Sequence, residues 1–377
     1  MGTDERTRVK VKVRIDAEFM SLALREAERG LYTAHPNPRV GCILVKEHEV
    51  IGKGFHLRTG QGHAEANALE EAGSRAMGAT AYVTLEPCSF RGRTPSCADA
   101  LIAAGVSRVV YGMEDPHTEN RGLGLAKLRH AGIQVDGPVL EQSARALNPG
   151  HIRKFESQMP YVRLKMAMSL DGKTALKNGL SQWITGPEAR RDVQRFRARS
   201  SAIVTGVQTV IDDNPALSVR QDELDIEFSQ IASQLDRKIV VLDPEKRIPL
   251  NANVLTNPNL LLVTLNDPKN TAHLSVEQVQ LVSDGSRRID LPALLHELAK
   301  RDCNEILFEC GATLAGSLVS SKLVDEFIIY LAPKLMGHTS RSLLKMGEIA
   351  LMEEVPELKI MDIRQFGNDI RISAQAQ

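Results

Sequence analysis

The chain has 377 residues, with 47 Lys plus Arg against 47 Asp plus Glu and a hydrophobic content of 42%. That length suggests two domains, each able to bury its own core. Zero net charge argues against a nucleic-acid binder that works by bulk attraction, and no apolar run approaches the ~20 residues of a membrane span.

In chain order, the polar start "MGTDERTRVKVKVR" lacks the apolar core of a secretory signal and is expected to be a short, poorly ordered lead-in. Residues 16–29 carry a helical pattern ended by Gly30. "RVGCILVK" and "EVIGKGFH" read as the strands of a hairpin, with Cys42 a small buried hydrophobe. Helix is expected over 63–72, strand in "ATAYVTLE", helix over 95–104, strand in "SRVVYGME" and helix over 122–131. Such alternation predicts crossover units and a largely parallel sheet. The pattern breaks at "LNPGHIRKFESQMP", which reads as a linker and divides the chain into domains 1–158 and 159–377. In the second half, "YVRLKMAMS", "SAIVTG", "RKIVVLD", "NLLLVTL", "NEILFECG" and "DEFIIYLAP" read as strands. "PEARRDVQRFRARS", "LPALLHELAKR" and "ATLAGSLVSSK" read as helices, and "KIMDIRQFGNDIRISAQ" as a closing hairpin. "RQDELDIEFSQIASQLDR" reads as a polar insertion. The fold class is therefore α/β in both halves. The five cysteines, an odd number in a chain with no secretory signal, argue against a disulfide framework and for a cytoplasmic protein.

The residues with the most chemistry are in "HAEAN" (63–67) and "LEPCSFRGRTPSC" (85–97). Zinc takes nitrogen and sulfur ligands, and a catalytic site keeps one position open. His63, Cys88 and Cys97 supply three such ligands. His63 opens a helix. Cys97 lies in the first turn of another, which Thr94 can cap and Pro95 can start, and a helix N-terminus favours the thiolate that binds metal. Glu65, about 200° around the helix from His63, does not share its face and is free to move protons. This follows the H-x-E…P-C-x-x-C signature of zinc nucleobase deaminases, except that eight residues separate the cysteines instead of two. The competing readings are a structural zinc, which would want a fourth ligand nearby, and three unrelated polar residues.

"HPNPRVGCILV", "HAEANAL", "TLEPCSFRGRTPSC", "LIAAGVSRVVYGMEDP" and "RGLGLAKLRHAG" together resemble the deaminase half of the bifunctional riboflavin-biosynthesis deaminase–reductases, over residues 16–150. The resemblance implies a cytidine-deaminase-like three-layer α/β domain. Its substrate would be 2,5-diamino-6-(5-phosphoribosylamino)pyrimidin-4-one, deaminated by hydrolysis with one Zn2+, and Glu65 would be the proton carrier. It also implies substrate contacts by Asn37, His56 and Asp115. The chain departs from the family at Phe90, where His is usual, and at His117-Thr118, where Asn-Pro is usual.

The second half has no G-x-G-x-x-G after a strand, so a Rossmann site is unsupported. "ECGATLAGS" and "TGVQTV" are strand–Gly–helix joints that can present backbone N–H groups to a phosphate. With "MSLDGKTA", "SQWITG", "ARRDVQRFRAR", "VIDDNPALSVR" and "LAPKLMG" they resemble the reductase half of the same family, from about residue 160 to the end. That implies a dihydrofolate-reductase-like α/β domain that uses NADPH to open the ribose to a ribityl chain. The implied NADPH contacts are Ala167, Trp183, Thr209, Asp213 and the run Gly311, Ala312, Thr313, Leu314, Ala315, Gly316 and Ser317. The implied substrate contacts are Ser181, Arg197, Leu217, Arg220 and Glu309. Taken by themselves, Arg197 could belong to a solvated face of arginines and Trp183 could be core packing. Cys310 stands where the family has Gly or Ala. The expected partners are the small phosphoribosyl pyrimidine, no nucleic acid, no membrane, and copies of the chain itself in a dimer or tetramer. The alternative is a tRNA- or cytidine-type base deaminase with a C-terminal binding domain.

Overall fold

The computed structural model describes residues 2–377 apart from 91–95, 266–275, 284 and 286; for residues 2–12 it describes the backbone alone. The chain forms two compact units, Met1–Ser157 and Gln158–Gln377. No helix among the described residues is long and apolar enough to cross a membrane.

The first unit runs α1 (Gly2–Arg29), β1 (Gly41–Lys46), β2 (Glu49–Phe55), α2 (Ala64–Ala72), β3 (Thr80–Val83), α3 (Cys97–Ala103), β4 (Arg108–Tyr111), α4 (Leu123–His130), β5 (Gln134–Asp136), α5 (Glu141–Leu147) and α6 (Pro149–Ser157). Its sheet has the order β2-β1-β3-β4-β5. The β3–β4 and β4–β5 pairs are parallel and the hairpin β1–β2 joins β3 antiparallel, so the sheet is mixed where a largely parallel one was expected. Alternate residues of each strand face opposite layers. Cys42, Leu44, Ala81, Val83 and Val109 pack with α2, α3 and α4, whereas Ile43, Val45, Tyr82 and Val110 pack with α1, α5 and α6. Cys42 is fully buried, as its apolar surroundings predicted. Two expectations fail. The lead-in is helical from Gly2, because neither Gly nor Pro interrupts residues 3–29. The stretch read as a linker is mostly α6: Pro149 stands at its first position, where a missing N–H costs nothing.

The second unit runs β6 (Tyr161–Ser169), β7 (Lys173–Ala175), α7 (Pro187–Arg199), β8 (Ala202–Gly206), α8 (Val207–Asp213), α9 (Ser229–Gln234), β9 (Lys238–Leu242), β10 (Leu260–Leu265), β11 (Glu277–Leu281), α10 (Leu291–Lys300), β12 (Glu305–Glu309), α11 (Ala312–Ser320), β13 (Glu326–Ala332), β14 (Arg341–Ser342), β15 (Leu358–Phe366) and β16 (Asp369–Ala376). Its large sheet has the order β11-β10-β9-β8-β12-β6-β13-β16-β15. The strands from β11 to β13 are parallel, and the hairpin β15–β16 is added antiparallel. Helices α10 and α11 cover one face and α7 and α8 the other. The polar insertion contains α9, which buries Ala232 and is tied to α7 by Arg237, whose guanidinium donates to the Ala232 and Ala198 carbonyls.

Candidate functional sites

In the first unit, a side chain on Gly54 would meet the Ala64 carbonyl at 2.2 Å. Glycine there lets the start of α2 lie directly on β2. His63 is the N-cap of α2 with extended backbone, and its ring makes no capping bond, so it is free to turn outward. Cys97 is the first residue of α3. The cap of α3 is Ser96, whose hydroxyl accepts from the Asp99 N–H at 3.1 Å; the expected cap Thr94 and starter Pro95 lie outside the described residues. Cys88 follows β3 in the loop.

These elements bring the three expected ligands together. His63 Nδ1 is 3.1 Å from Cys97 Sγ and 3.8 Å from Cys88 Sγ, and the three ligand atoms lie within 4.8 Å of one another. The backbone N–H of Cys97 also donates to Cys88 Sγ at 3.2 Å. Ligands at 2.0–2.3 Å around a tetrahedral ion are separated by roughly 3.3–3.8 Å, so one imidazole and two sulfurs in this arrangement fit zinc. Hydrogen bonding from Cys97, together with His63, pulls the Cys88 thiol down to about 4, and the same pairing with burial pushes Cys97 up, so the pair favours a thiolate at Cys88. Glu65 sits in the first turn of α2, 3% exposed. Burial, then the neighbouring Cys88 charge, raises its carboxyl above the usual range.

Around this centre, Asn37 Nδ2 lies 3.0 Å from His56 Nε2, and His56 Nδ1 lies 3.1 Å from the Gly62 carbonyl. A carbonyl can only accept, so Nδ1 carries the proton and Nε2 accepts from Asn37. Burial lowers the His56 pKa and keeps the ring neutral. Asp115 is engaged by the protein itself: Oδ1 accepts from His151 Nε2 at 2.9 Å and from the His117 N–H, and Oδ2 from Asn120. The two departures from the family pattern meet, with the Phe90 ring 6.2 Å from His117, which stacks 4.2 Å from Phe155.

In the second unit, Arg197 of α7 and Glu309 at the end of β12 form a two-bond pair, at 2.6 and 3.0 Å, and Arg197 also donates to the Ser218 carbonyl. Ser181 donates to Asp213 at 3.2 Å. Arg220 pairs with Glu223 on the surface, and Leu217 is buried. Ala167 packs on the cluster of Phe196 and Tyr330, and Thr209 lies in α8. Trp183 is 63% exposed with the Arg190 guanidinium 4.5 Å over its ring, so it is not core. The run 311–317 divides. Gly311 caps α11 without a side-chain bond, a Cβ there would meet nothing within 4 Å, and the N–H groups of Ala312, Thr313 and Leu314 are those of a first turn, which have no acceptor within the helix. Ala315 already donates to the Gly311 carbonyl and is fully buried, and Gly316 packs against the Lys345 carbonyl, which a Cβ would meet at 2.1 Å. Ser317 bonds back to Thr313. At the end of β8, the buried Thr205 hydroxyl has no hydrogen-bond partner among the described residues. An uncapped helix start beside a glycine fits the pyrophosphate of a dinucleotide.

Lys165 was missed from the sequence. It pairs in register with Glu309 across β6 and β12, close enough to Glu309, Arg197 and Asp213 to feel their charges. Burial lowers its pKa. The available signal was a lysine in the otherwise apolar "LKMAM".

The two units define a zinc-type deaminase fold followed by a parallel α/β unit whose helix α11 starts at a glycine without a side-chain cap. The model of the cytidine and deoxycytidylate deaminase zinc-binding region matches residues 13–113, and that of the RibD C-terminal domain matches residues 160–372. The chain is 43% identical over 358 residues to riboflavin biosynthesis protein RibD of Escherichia coli, covering 94% of this chain and 98% of that one, and 43% identical to the Haemophilus influenzae RibD over 95% and 96%. The solved Acinetobacter baumannii RibD superposes with a TM-score of 0.89 at 40% identity, covering 97% of this chain and 99% of its own. The Thermotoga maritima diaminohydroxyphosphoribosylaminopyrimidine deaminase/5-amino-6-(5-phosphoribosylamino)uracil reductase superposes at 0.84 and 30%, covering 97% and 100%. The chain belongs to the RibD family. The match over 160–372 replaces the nucleic-acid-binding C-terminal half weighed from the sequence.

Proposed function

We propose that the chain catalyses two successive steps of riboflavin biosynthesis. The first unit hydrolyses the 2-amino group from 2,5-diamino-6-(5-phosphoribosylamino)pyrimidin-4-one. The second reduces the ribosyl group of 5-amino-6-(5-phosphoribosylamino)uracil to ribityl with NADPH. The observation that carries this is the convergence of His63, Cys88 and Cys97 to within 4.8 Å beside the buried Glu65, in a chain whose other half matches the RibD C-terminal domain.

His63, Cys88 and Cys97 hold the zinc, which when bound brings the pKa of water down toward neutrality and so makes it a nucleophile. Glu65 handles the protons: it delivers one to the ring nitrogen as the amino-bearing carbon is attacked, then one to the departing ammonia. Asn37 points its Oδ1 at the substrate, because His56 occupies its Nδ2. Asp115 supports the surrounding loop more than it contacts the ring.

In the second unit, NADPH supplies a hydride when bound. The N–H groups of Ala312, Thr313 and Leu314 would hold its pyrophosphate. Trp183, Thr209 and Asp213 border the rest of the nucleotide. Arg197 and Arg220 serve the substrate's 5′-phosphate, where a guanidinium can grip two oxygens at once. Ser181 and Leu217 flank it. Lys165 would supply a proton to the ribose ring oxygen as C1′ is reduced, and Glu309, kept ionised by Arg197, favours the charged form of that ammonium.

The work site is the cytoplasm, where Cys88 and Cys97 stay reduced. The chain assembles with its own copies: edge strand β15 exposes Ile360, Met361 and Ile363, an apolar edge that self-association would cover.

Incubation with the diaminopyrimidine phosphate is expected to give a deaminated ribosyl product without NADPH and a ribityl product with it. Glu65→Gln should lower the first rate by about 10²–10⁴ and leave the second, assayed on the deaminated compound, unchanged. Absence of product in both arms, or loss of both steps in the variant, would overturn the reading.

A further inference from the structure

Zinc sites built on Cys-x-x-Cys set the distance between their sulfurs with the turn itself. Here eight residues separate Cys88 from Cys97, and a connection of that length does not fix its ends. Something else must.

Helix α4 and the residues leading into it meet both cysteine segments. Glu86, two residues before Cys88, accepts four backbone N–H groups from this region: Asp115, Gly122, Gly124 and Leu125, at 3.0–3.3 Å. The Pro87 carbonyl lies so close to α4 that a Cβ on Gly124 would meet it at 1.9 Å. On the far side of Cys88, Asn120 Oδ1 accepts both from the Ser89 N–H at 2.8 Å and from the Ser89 hydroxyl at 2.9 Å. Asn120 is fully buried, and its Nδ2 is anchored on Asp115, which in turn is held by His151 of α6. One turn along α4, Lys127 Nζ donates to the Ser89 carbonyl (3.3 Å), to the Ser96 hydroxyl (3.4 Å) and to Asp99 Oδ2 (2.7 Å). Ser89 follows Cys88, and Ser96 precedes Cys97 as the cap of its helix. A single ammonium therefore bridges the two cysteine segments next to their ligands.

We propose that Asn120 and Lys127 are the positioning residues of the metal centre: from α4 they fix the separation of the two sulfurs that a short turn fixes elsewhere. Asn120 sets the backbone after Cys88, and Lys127 ties that backbone to the start of α3. The inference rests on the reading of His63, Cys88 and Cys97 as a zinc centre.

The test is zinc retention in the full chain, read by competition with a chromogenic chelator, alongside the visible spectrum of the Co2+-loaded protein and NADPH oxidation by the second unit. Wild type holding less than one zinc per chain would refute the zinc reading itself. With wild type loaded, Asn120→Ala is expected to weaken retention about tenfold or more, in the range typical of groups that orient metal ligands. Lys127→Met, at a partly exposed ammonium, should weaken it about threefold. Both should shift the Co2+ bands, because the sulfur geometry relaxes. Lys127→Arg should retain zinc like wild type, since a guanidinium can serve all three acceptors. NADPH oxidation should stay at the wild-type level throughout. Unchanged retention and an unchanged Co2+ spectrum in Lys127→Met would overturn the proposal, as would Lys127→Arg failing as badly as Lys127→Met. If Asn120→Ala does not fold, the lysine pair decides alone.

Discussion

In the first unit three side chains from three separate segments converge to within 4.8 Å, and every one of them is a residue type with few other uses at such a spot. In the second unit the corresponding work falls to backbone N–H groups at an uncapped helix start and to an Arg–Glu pair whose members also bond to the protein. A metal selects for side-chain chemistry, and a dinucleotide for backbone shape. The two sites should therefore fail differently: the first when one ligand atom is removed, the second when space or charge balance is disturbed.

The largest effect should follow from removing a sulfur. Cys97→Ala takes one of three ligands while leaving in place the backbone N–H that donates to Cys88 Sγ. Zinc content by metal analysis should fall to background, and deaminase turnover with it, by more than the 10²–10⁴ expected for losing proton transfer alone. Reductase turnover should stay within a factor of two, an order-of-magnitude bound for a site in a separate compact unit. Comparable loss in both activities would break the comparison.

Arg197→Met should act on stability and on the reductase together. It leaves Glu309 buried without its cation, which costs about 3–5 kcal/mol for a pair this enclosed. The pH dependence has a definite sign. Burial opposes ionisation of Glu309, but the Arg197 charge and hydrogen bonds outweigh it, and the carboxyl is held below its ordinary value of 4.5. The unfolded chain therefore takes up this proton first as pH falls. The contribution of the pair is full above about pH 4.5 and is lost as pH drops through the lower, folded value. Urea midpoints of wild type and Arg197→Met should differ most at pH 7 and converge only as the pH falls below about 4.5. A gap that widens on acidification would show that the pair is not what holds Glu309.

How much of this was legible in the sequence follows the same division. The zinc ligands and Glu65 could be read because His, Cys and Glu in that order leave few alternatives. Their local supports could not: the cap of α3 is Ser96 and not the expected Thr94, because two hydroxyl residues flank Pro95 and only the backbone decides between them. The helix α6 was hidden by Pro149 and Gly150, residues that read as breakers but are harmless in a first turn. Lys165 was passed over because a lysine in a strand reads as an edge residue, whereas β6 lies between β12 and β13 and leaves it half-buried. Within 311–317 the sequence could not separate the first-turn residues Ala312, Thr313 and Leu314 from Ala315 and Gly316, which serve packing. That distinction depends on what lies across from the helix, here the Lys345 carbonyl.

Trp183 gives the smallest and sharpest test of the second site. As a core residue it would cost about 3–5 kcal/mol to truncate to alanine. It is instead 63% exposed, held by its carbonyl to Lys334 and stacked under Arg190. Its stacking with Arg190 at so open a position is worth about 0.5–1 kcal/mol. Trp183→Ala should therefore leave the thermal midpoint within a few degrees of wild type. If the indole borders the nucleotide, KM for NADPH should rise several-fold, about what 1 kcal/mol of lost contact gives, with kcat nearly unchanged, because uniform binding is what is removed. A fall in kcat with constant KM would instead place the indole against the reacting ribose. A change in neither would remove Trp183 from the site and leave Arg190 stacking as its whole role.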